Sequence, residues 1–302
     1  MAIVEEQVAV DGEKLMAFVF RAVDEIGATL NTALVVMGDR LGFYRVLAAA
    51  GPLTSAELAE RTGTAERYVR EWLNAQAAGG YVEYDAGSGR YALPAEHAVA
   101  LTDESSPAYL PGFFQIALGS LHDSPRITEA VRTGTGIGWH DHVHDVHEGC
   151  ERFFRPGSIQ TARERAKEAG VSDRASFEVA SAASYSGRGY DLVTMFDCLH
   201  DMGDPVGAAR HVHESLAADG TWMIVEPAAG DRVEDNLNPV GRAYYGFSTL
   251  LCTPASLSQD VGLALGAQAG EARIRDVVTS AGFSRFRRVN ETPFNIVYEA
   301  RP

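Results

Sequence analysis

The stretch "YDLVTMFDCLHDMGDP", residues 190–205, decides the fold of the second half of the chain. It opens with an apolar run that predicts a buried strand from Leu192 to Phe196, and polar side chains follow directly after it. In parallel sheets, binding and catalytic groups gather where the strands end. We therefore expect an α/β domain with a functional site just after Phe196.

The segments downstream alternate between helix and strand patterns. An amphipathic helix over 206–220 leads to "TWMIVEP" (221–227), a second apolar strand whose tip is Glu226. A long helical insertion follows, and the chain closes with a helix over 271–283 and two antiparallel-prone strands, 285–291 and 295–301. This alternation predicts a mostly parallel sheet wrapped by helices.

The upstream side of this domain begins abruptly. Ser158 is a good N-cap for a helix that ends at Gly170, and a short strand is predicted from Phe177 to Ala180. An apolar strand should lead into the helix, but the preceding residues are "RFFRPG" (152–157), which is short, basic and turn-like. An expected strand is absent.

Residues 1–100 have mainly helical periodicity and contain a winged helix-turn-helix pattern. Two helices, capped by Thr54 or Ser55 and by Thr64, precede a stop at Gly79-Gly80 and a β-hairpin pattern. Residues 54–90 carry four arginines and six acidic side chains, whereas DNA-reading modules present a basic face. We therefore predict that this domain forms a homodimer and covers a neighbouring site, with a DNA-binding regulator as the alternative.

The composition excludes several classes of partner. The chain has 302 residues, 46% of them hydrophobic, which is enough for two domains. A net charge of −15 argues against nucleic acid and anionic lipid as partners. The sequence shows no secretion signal and no apolar run long enough to span a bilayer, so we expect a cytoplasmic protein without a membrane partner. Its three cysteines are isolated and predict neither a disulfide nor a zinc knuckle.

Residues 101–157 are predicted to form a helical linker and pocket segment between residues 1–100 and the α/β domain of 158–302. The glycine-rich "RTGTGIG" (132–138) follows no strand, so it predicts a loop rather than a nucleotide site. The histidines between His140 and His147 could bind a metal ion or line a substrate pocket. Their spacing matches no established ligand pattern, so we assign no metal site.

Together, residues 190–205, the "ADGTWMIVEP" strand (218–227), "VVTSAGFSRFRRV" (277–289) and the final hairpin resemble the second half of a class I S-adenosylmethionine-dependent methyltransferase. With the winged helix in front, nearly the whole chain resembles bacterial methyltransferases that carry an N-terminal winged-helix domain. The resemblance implies a Rossmann-like domain, S-adenosylmethionine as cofactor and O-methyl transfer to a small molecule.

The resemblance also identifies what is absent upstream. In that family, four elements separate the segment that resembles the one ending at Gly157 from the helix that resembles the one starting at Ser158. They are a strand, a glycine-rich loop, a helix and a second strand that ends in an acidic residue. In this sequence Ser158 directly follows Gly157. The glycines let the backbone approach the cofactor, and the acid holds its ribose. The implied sheet therefore lacks two central strands. The protein is either a remodelled, cofactor-poor relative or its sequence lacks about 50 residues, the length of a strand-helix-strand unit.

The site residues are implied by the same resemblance. His200 would be the general base that takes the proton from a hydroxyl or phenol, and Glu226 would orient it or stabilise its charged form. The remaining cofactor contacts would be Phe196, Asp197, Ser181 and Ala182. Many relatives have an acid in place of Ser181 or Ala182.

Other readings stay open. In one alternative, His200 only caps the following turn, and Glu226 is a solvent-exposed residue at the end of a strand. The protein could also be a cofactor-poor relative that binds a small ligand, regulates, or catalyses a reaction other than methylation.

Overall fold

The computed structural model describes residues 10–104, 106, 108–153, 163 and 166–302. The chain divides into two compact units, Met1–Leu118 with Glu148–Phe154, and Gly119–His147 with Arg155–Pro302. Residues 101–157, which we expected to form a linker, therefore contribute to both units.

The first unit is built from helices and one hairpin. Its elements are α1 (Gly12–Arg40), α2 (Phe43–Ala50), α3 (Ser55–Thr62), α4 (Glu66–Ala78), β1 (Glu83–Asp85), β2 (Arg90–Ala92), α5 (Ala95–Thr102) and most of α6 (Pro111–His122). Helix α3 begins with the expected Thr54 cap, which forms a capping box with Glu57. The cap of α4 is Ala65 and not Thr64, whose hydroxyl lies 2.8 Å from that of Thr62. The antiparallel β1–β2 pair confirms the hairpin.

Trp72 on α4 organises the core of this unit. Its indole donates a hydrogen bond to the Leu34 carbonyl at 2.9 Å, and its ring packs edge-on against Phe43 and Tyr44. Gly38 on α1 lies directly against the indole, because a Cβ there would overlap the ring. The contact lets α1 approach α4 closely.

The second unit contains the α/β domain. Its elements are α7 (Ser124–Thr133), the start of α8 (His144–Phe153), β3 (Tyr190–Phe196), α9 (Pro205–Ser215), β4 (Leu216–Pro227), α10 (Pro239–Phe247), α11 (Thr253–Leu257), α12 (Gly270–Ser280), β5 (Arg285–Glu291) and β6 (Asn295–Arg301). Buried Trp222 and Ile224 of β4 pack with Leu199, Ile274 and Tyr298 in its core. The Ser158 cap lies outside the described residues, whereas Gly170 has φ 66, as expected for a helix stop.

The four described strands of this unit form one mixed sheet in the order β3-β4-β6-β5. Strand β3 runs parallel to β4, while β4–β6 and β5–β6 are antiparallel. The antiparallel pairing of the last two strands was predicted correctly. The prediction of a mostly parallel sheet was wrong for this part of the chain, because only one of the three pairings is parallel.

Strand β3 lies at the edge of this sheet and is half exposed. Leu192 and Phe196 are 55% and 59% exposed, so the prediction of a buried strand was wrong. The strand expected from Phe177 to Ala180 is not formed, and Val179 is almost fully exposed. Among the described strands, none pairs with the outer edge of β3, which explains both differences.

The loop expected at residues 132–138 is shorter in the structure, because Arg132 and Thr133 still belong to α7. Residues 135–138 are a loop that follows α7, and Gly134 ends the helix in the left-handed region. All three cysteines are free. No helix in the described ranges has the length and apolar character needed to cross a bilayer.

Candidate active site

The parallel strands β3 and β4 end side by side, with Phe196 opposite Val225. After β3 the chain turns sharply at Asp197, a non-glycine residue with φ 45, whose N–H donates to the Val225 carbonyl at 2.8 Å. Aspartate tolerates this left-handed conformation better than most residues. The turn leads into a short 3-10 helix, Leu199–Asp201, which carries His200.

Glu226 at the end of β4 fixes this helix. Its side chain is buried, and Oε1 accepts hydrogen bonds from the N–H groups of Leu199 at 2.9 Å and Cys198 at 3.3 Å. Oε2 lies 2.5 Å from Nδ1 of His200. One carboxylate therefore holds both the backbone and the imidazole, and the second nitrogen, Nε2, points elsewhere.

His200 is 4% exposed and lies between two acids. Burial alone would lower the pKa of its imidazole, but the Glu226 and Asp201 carboxylates outweigh burial and hold the pKa well above 6.5. The protonated form is therefore favoured at neutral pH.

Asp197 is the third titratable group at this strand end. Its Oδ1 accepts a hydrogen bond from the amide of Asn295 at 2.8 Å. Burial and, to a smaller extent, the neighbouring Glu226 carboxylate together raise the pKa of Asp197 to about 6. The structure thus brings together three predicted residues, Asp197, His200 and Glu226.

The other predicted residues lie differently. Phe196 is adjacent in sequence and exposed at the end of β3. Ser181 is exposed in a turn, where its hydroxyl accepts from the Ala183 N–H at 3.2 Å. Ala182 packs against the core of the second unit. Because the strand before them is not formed, Ser181 and Ala182 do not stand at a strand end, which corrects that expectation.

The insertion after β4 contributes groups that the sequence analysis did not identify. Cys252, in the π-helical turn Ser248–Cys252, lies close to His200 and Asp201, and donor atoms of the three side chains are within 4.8 Å of one another. Tyr244 lies near Asp197, and burial raises the pKa of its hydroxyl to about 12. Asp201 could have been found from its place beside His200. Cys252 and Tyr244 lie in an insertion whose path the sequence pattern does not indicate.

The histidine-rich segment is divided by the fold. His142 is buried, with Nδ1 2.8 Å from Oδ2 of Asp123, whereas His140 is exposed. Trp139 packs edge-on against the rings of His142 and His147. At least one of these histidines therefore has a structural partner.

Residues 29–103 match the family described as "Rv2258c-like winged HTH domain". No curated protein sequence matches the chain.

Solved structures are similar to the chain over nearly its full length. The mitomycin 7-O-methyltransferase MmcR has a TM-score of 0.71 at 19% identity, covering 96% of this chain and 100% of its own. A putative O-methyltransferase from Nostoc punctiforme PCC 73102 has a TM-score of 0.71 at 18% identity, covering 97% and 99%. Human N-acetylserotonin methyltransferase, solved with S-adenosylmethionine, has a TM-score of 0.69 at 15% identity, covering 100% and 99%.

These matches confirm the predicted fold class, a winged-helix domain followed by a Rossmann-like domain. The chain therefore carries a winged helix-turn-helix domain and has the fold of solved methyltransferases over nearly its whole length.

Proposed function

We propose that the protein is an S-adenosylmethionine-dependent O-methyltransferase that acts on a small-molecule hydroxyl. The observation that carries this proposal is the buried His200–Glu226 pair, 2.5 Å apart, at the carboxyl ends of two parallel strands in a methyltransferase fold. Once it has lost its proton, an imidazole at such a place is suited to general-base catalysis.

The pair would move one proton. Nδ1–H of His200 donates to Glu226, which leaves the Nε2 lone pair to accept the proton of the acceptor hydroxyl. The oxygen keeps the electron pair and becomes the nucleophile, while the imidazolium is stabilised by the carboxylates of Glu226 and Asp201. Because the pKa of His200 is held well above its ordinary value, the base form grows as the pH rises toward that raised pKa.

The described residues fit the charged end of the cofactor. Asp197 and Glu226 are two acids near each other, and burial with mutual repulsion raises the pKa of Asp197. A cationic ligand would relieve that repulsion, so Asp197 beside exposed Phe196 would hold the cofactor. S-adenosylmethionine supplies an electrophilic methyl group on a positively charged sulfur.

Helix α1 supports a homodimer. It presents a run of exposed apolar side chains, with Phe20, Val23, Ile26 and Leu30 each at least 60% exposed. Exposed apolar surface on this scale is typical of a subunit interface. The winged helix is less suited to nucleic acid, because Arg67, Arg70 and Arg90 are paired with glutamates. Three free cysteines fit the reducing cytoplasm.

The test is the His200→Ala variant, with methyl transfer to a panel of phenols as the assay. Turnover should fall about 100-fold to 10,000-fold while cofactor affinity is nearly retained, as expected for loss of a positioned base. Glu226→Gln should lower turnover less than His200→Ala does, because the glutamine amide oxygen can still accept a hydrogen bond from Nδ1 of His200. His122→Ala, a change at an exposed histidine outside the histidine-rich segment, is the matched control.

The pH profile separates chemistry from folding. The wild-type rate should rise with pH through a pKa above 6.5, and this limb should disappear in His200→Ala. A His200→Ala enzyme with wild-type turnover between pH 6 and 9, across the range where an imidazole loses its proton, would refute the assigned role.

A further inference from the structure

The side of His200 that faces away from Glu226 carries a second set of groups. Oδ1 of Asp201 lies 3.3 Å from Nε2 of His200. Donor atoms of His200, Asp201 and Cys252 all lie within 4.8 Å of one another. A nitrogen, an oxygen and a sulfur atom therefore surround one small volume.

These distances suit a single metal ion. Zinc in tetrahedral sites has bonds of about 2.0–2.3 Å, which place neighbouring donor atoms about 3.3–3.8 Å apart. The 3.3 Å separation of Nε2 and Oδ1 already meets this requirement. A thiolate, an imidazole and a carboxylate form a mixed donor set that favours zinc, whereas calcium and magnesium prefer oxygen alone.

Two further observations point to a cation at this place. Oδ1 of Asp201 is buried and makes no well-directed hydrogen bond in the described chain beyond its 3.3 Å ion-pair contact with Nε2 of His200, and an incompletely satisfied buried oxygen is costly. Glu226 holds Nδ1 of His200 at 2.5 Å, as carboxylates commonly do behind a metal-bound histidine. The imidazole is therefore oriented with Nε2 toward Asp201 and Cys252.

We propose that His200, Asp201 and Cys252 bind a zinc ion and that this ion inhibits methyl transfer. On binding, a Zn–S bond replaces the S–H bond of Cys252 and a Zn–N bond replaces the Nε2–H bond of the His200 imidazolium, and both released protons pass to the solvent. The Nε2 lone pair becomes engaged with the metal and is lost as a proton acceptor. Inhibition rests on the proposed function of His200, whereas zinc binding does not.

Binding is tested on the full chain after treatment with a chelator. Zinc chloride should bind with one equivalent by calorimetry, and cobalt chloride should produce the sulfur-to-cobalt charge-transfer absorption of a thiolate ligand. Cys252→Ser should abolish this absorption and weaken zinc binding at least about tenfold, as expected for loss of a ligand. Cys150→Ser, which removes a cysteine of the other unit, should leave both unchanged.

The outcomes separate the two parts of the proposal. Absence of the cobalt absorption, or its persistence in Cys252→Ser, overturns the site. Zinc should also lower the rate of methyl transfer by the wild-type protein reversibly. The Cys252→Ser variant should require a zinc concentration at least about tenfold higher than the wild type to lose the same fraction of its own rate. One-equivalent binding with an unchanged rate would overturn the inhibition and leave the site standing. Absence of methyl transfer even without zinc would count against the proposed function alone.

Discussion

Asp197→Asn should stabilise the protein in a pH-dependent manner. The carboxyl is buried near Glu226, so its pKa is raised from 3.8 to about 6. Between these values the unfolded chain has lost the proton and the folded chain keeps it. Folding then takes up a proton, and the free energy of unfolding falls as the pH rises from about 4 to about 6.

The size of the effect follows from the shift. At 1.36 kcal/mol for each pKa unit, ionisation of Asp197 lowers the free energy of unfolding by at most about 3 kcal/mol above pH 6. Because the side chain is partly exposed to solvent, we expect an effect of about 1–3 kcal/mol. Asparagine carries no charge and tolerates the φ of 45 at this position. Its Oδ1 can still accept from Asn295, so the existing hydrogen bond survives.

Urea denaturation at pH 4.5 and pH 8 measures this effect. The free energy of unfolding of Asp197→Asn should exceed that of the wild type by about 1–3 kcal/mol at pH 8. The difference should be clearly smaller at pH 4.5, where the wild-type carboxyl is already protonated. Asp191→Asn, an exposed change on the same strand, should retain the wild-type pH dependence. An equal gain at both pH values, or none at pH 8, would refute the assignment of a charge penalty to Asp197.

Three other predictions concern packing, assembly and ligand affinity. Gly38→Ala should lower the free energy of unfolding by about 1–3 kcal/mol because its Cβ would overlap Trp72; thermal melts should show no such loss for Gly27→Ala, on the same helix in open space. Light scattering should show a dimer that Phe20→Glu with Ile26→Glu converts to a monomer, and a wild-type monomer at micromolar concentration would contradict the α1 interface. If the protein is the cofactor-poor relative and its sequence lacks no internal segment, calorimetry should find weak or undetectable binding of S-adenosylmethionine, because each hydrogen bond that a glycine-rich loop would supply is worth about 0.5–3 kcal/mol; a low-micromolar dissociation constant would contradict this alternative and favour the proposed methyltransferase.

Those features of the fold that depend on residues close in sequence were predicted correctly. The Thr54 cap, the hairpin and the final antiparallel strands depend on neighbouring residues, so their patterns predicted them correctly. The proximity of His200 and Glu226 was implied by the family resemblance, and the parallel strands account for it because they bring their carboxyl ends to one edge of the sheet.

The remaining features depend on residues distant in sequence. An apolar run predicts a strand but not its neighbours, so the exposure of Leu192 on an edge strand could not be seen. Asn295 meets Asp197 only because β6 pairs with β4 in one particular register. Cys252 reaches His200 through an insertion whose turns carry no periodic signal.

The outer edge of β3 determines how this protein should behave in concentrated solution. Its backbone groups on that side have no strand partner among the described residues, so the corresponding amide protons should exchange rapidly with solvent deuterium. Exposed Leu192 and Phe196 lie on the same strand, and Asp191 is its only charged residue. Such an edge is a template for β-strand addition by another molecule. Aggregation during storage is therefore expected to begin at β3, and a lysine in place of Leu192 should slow it.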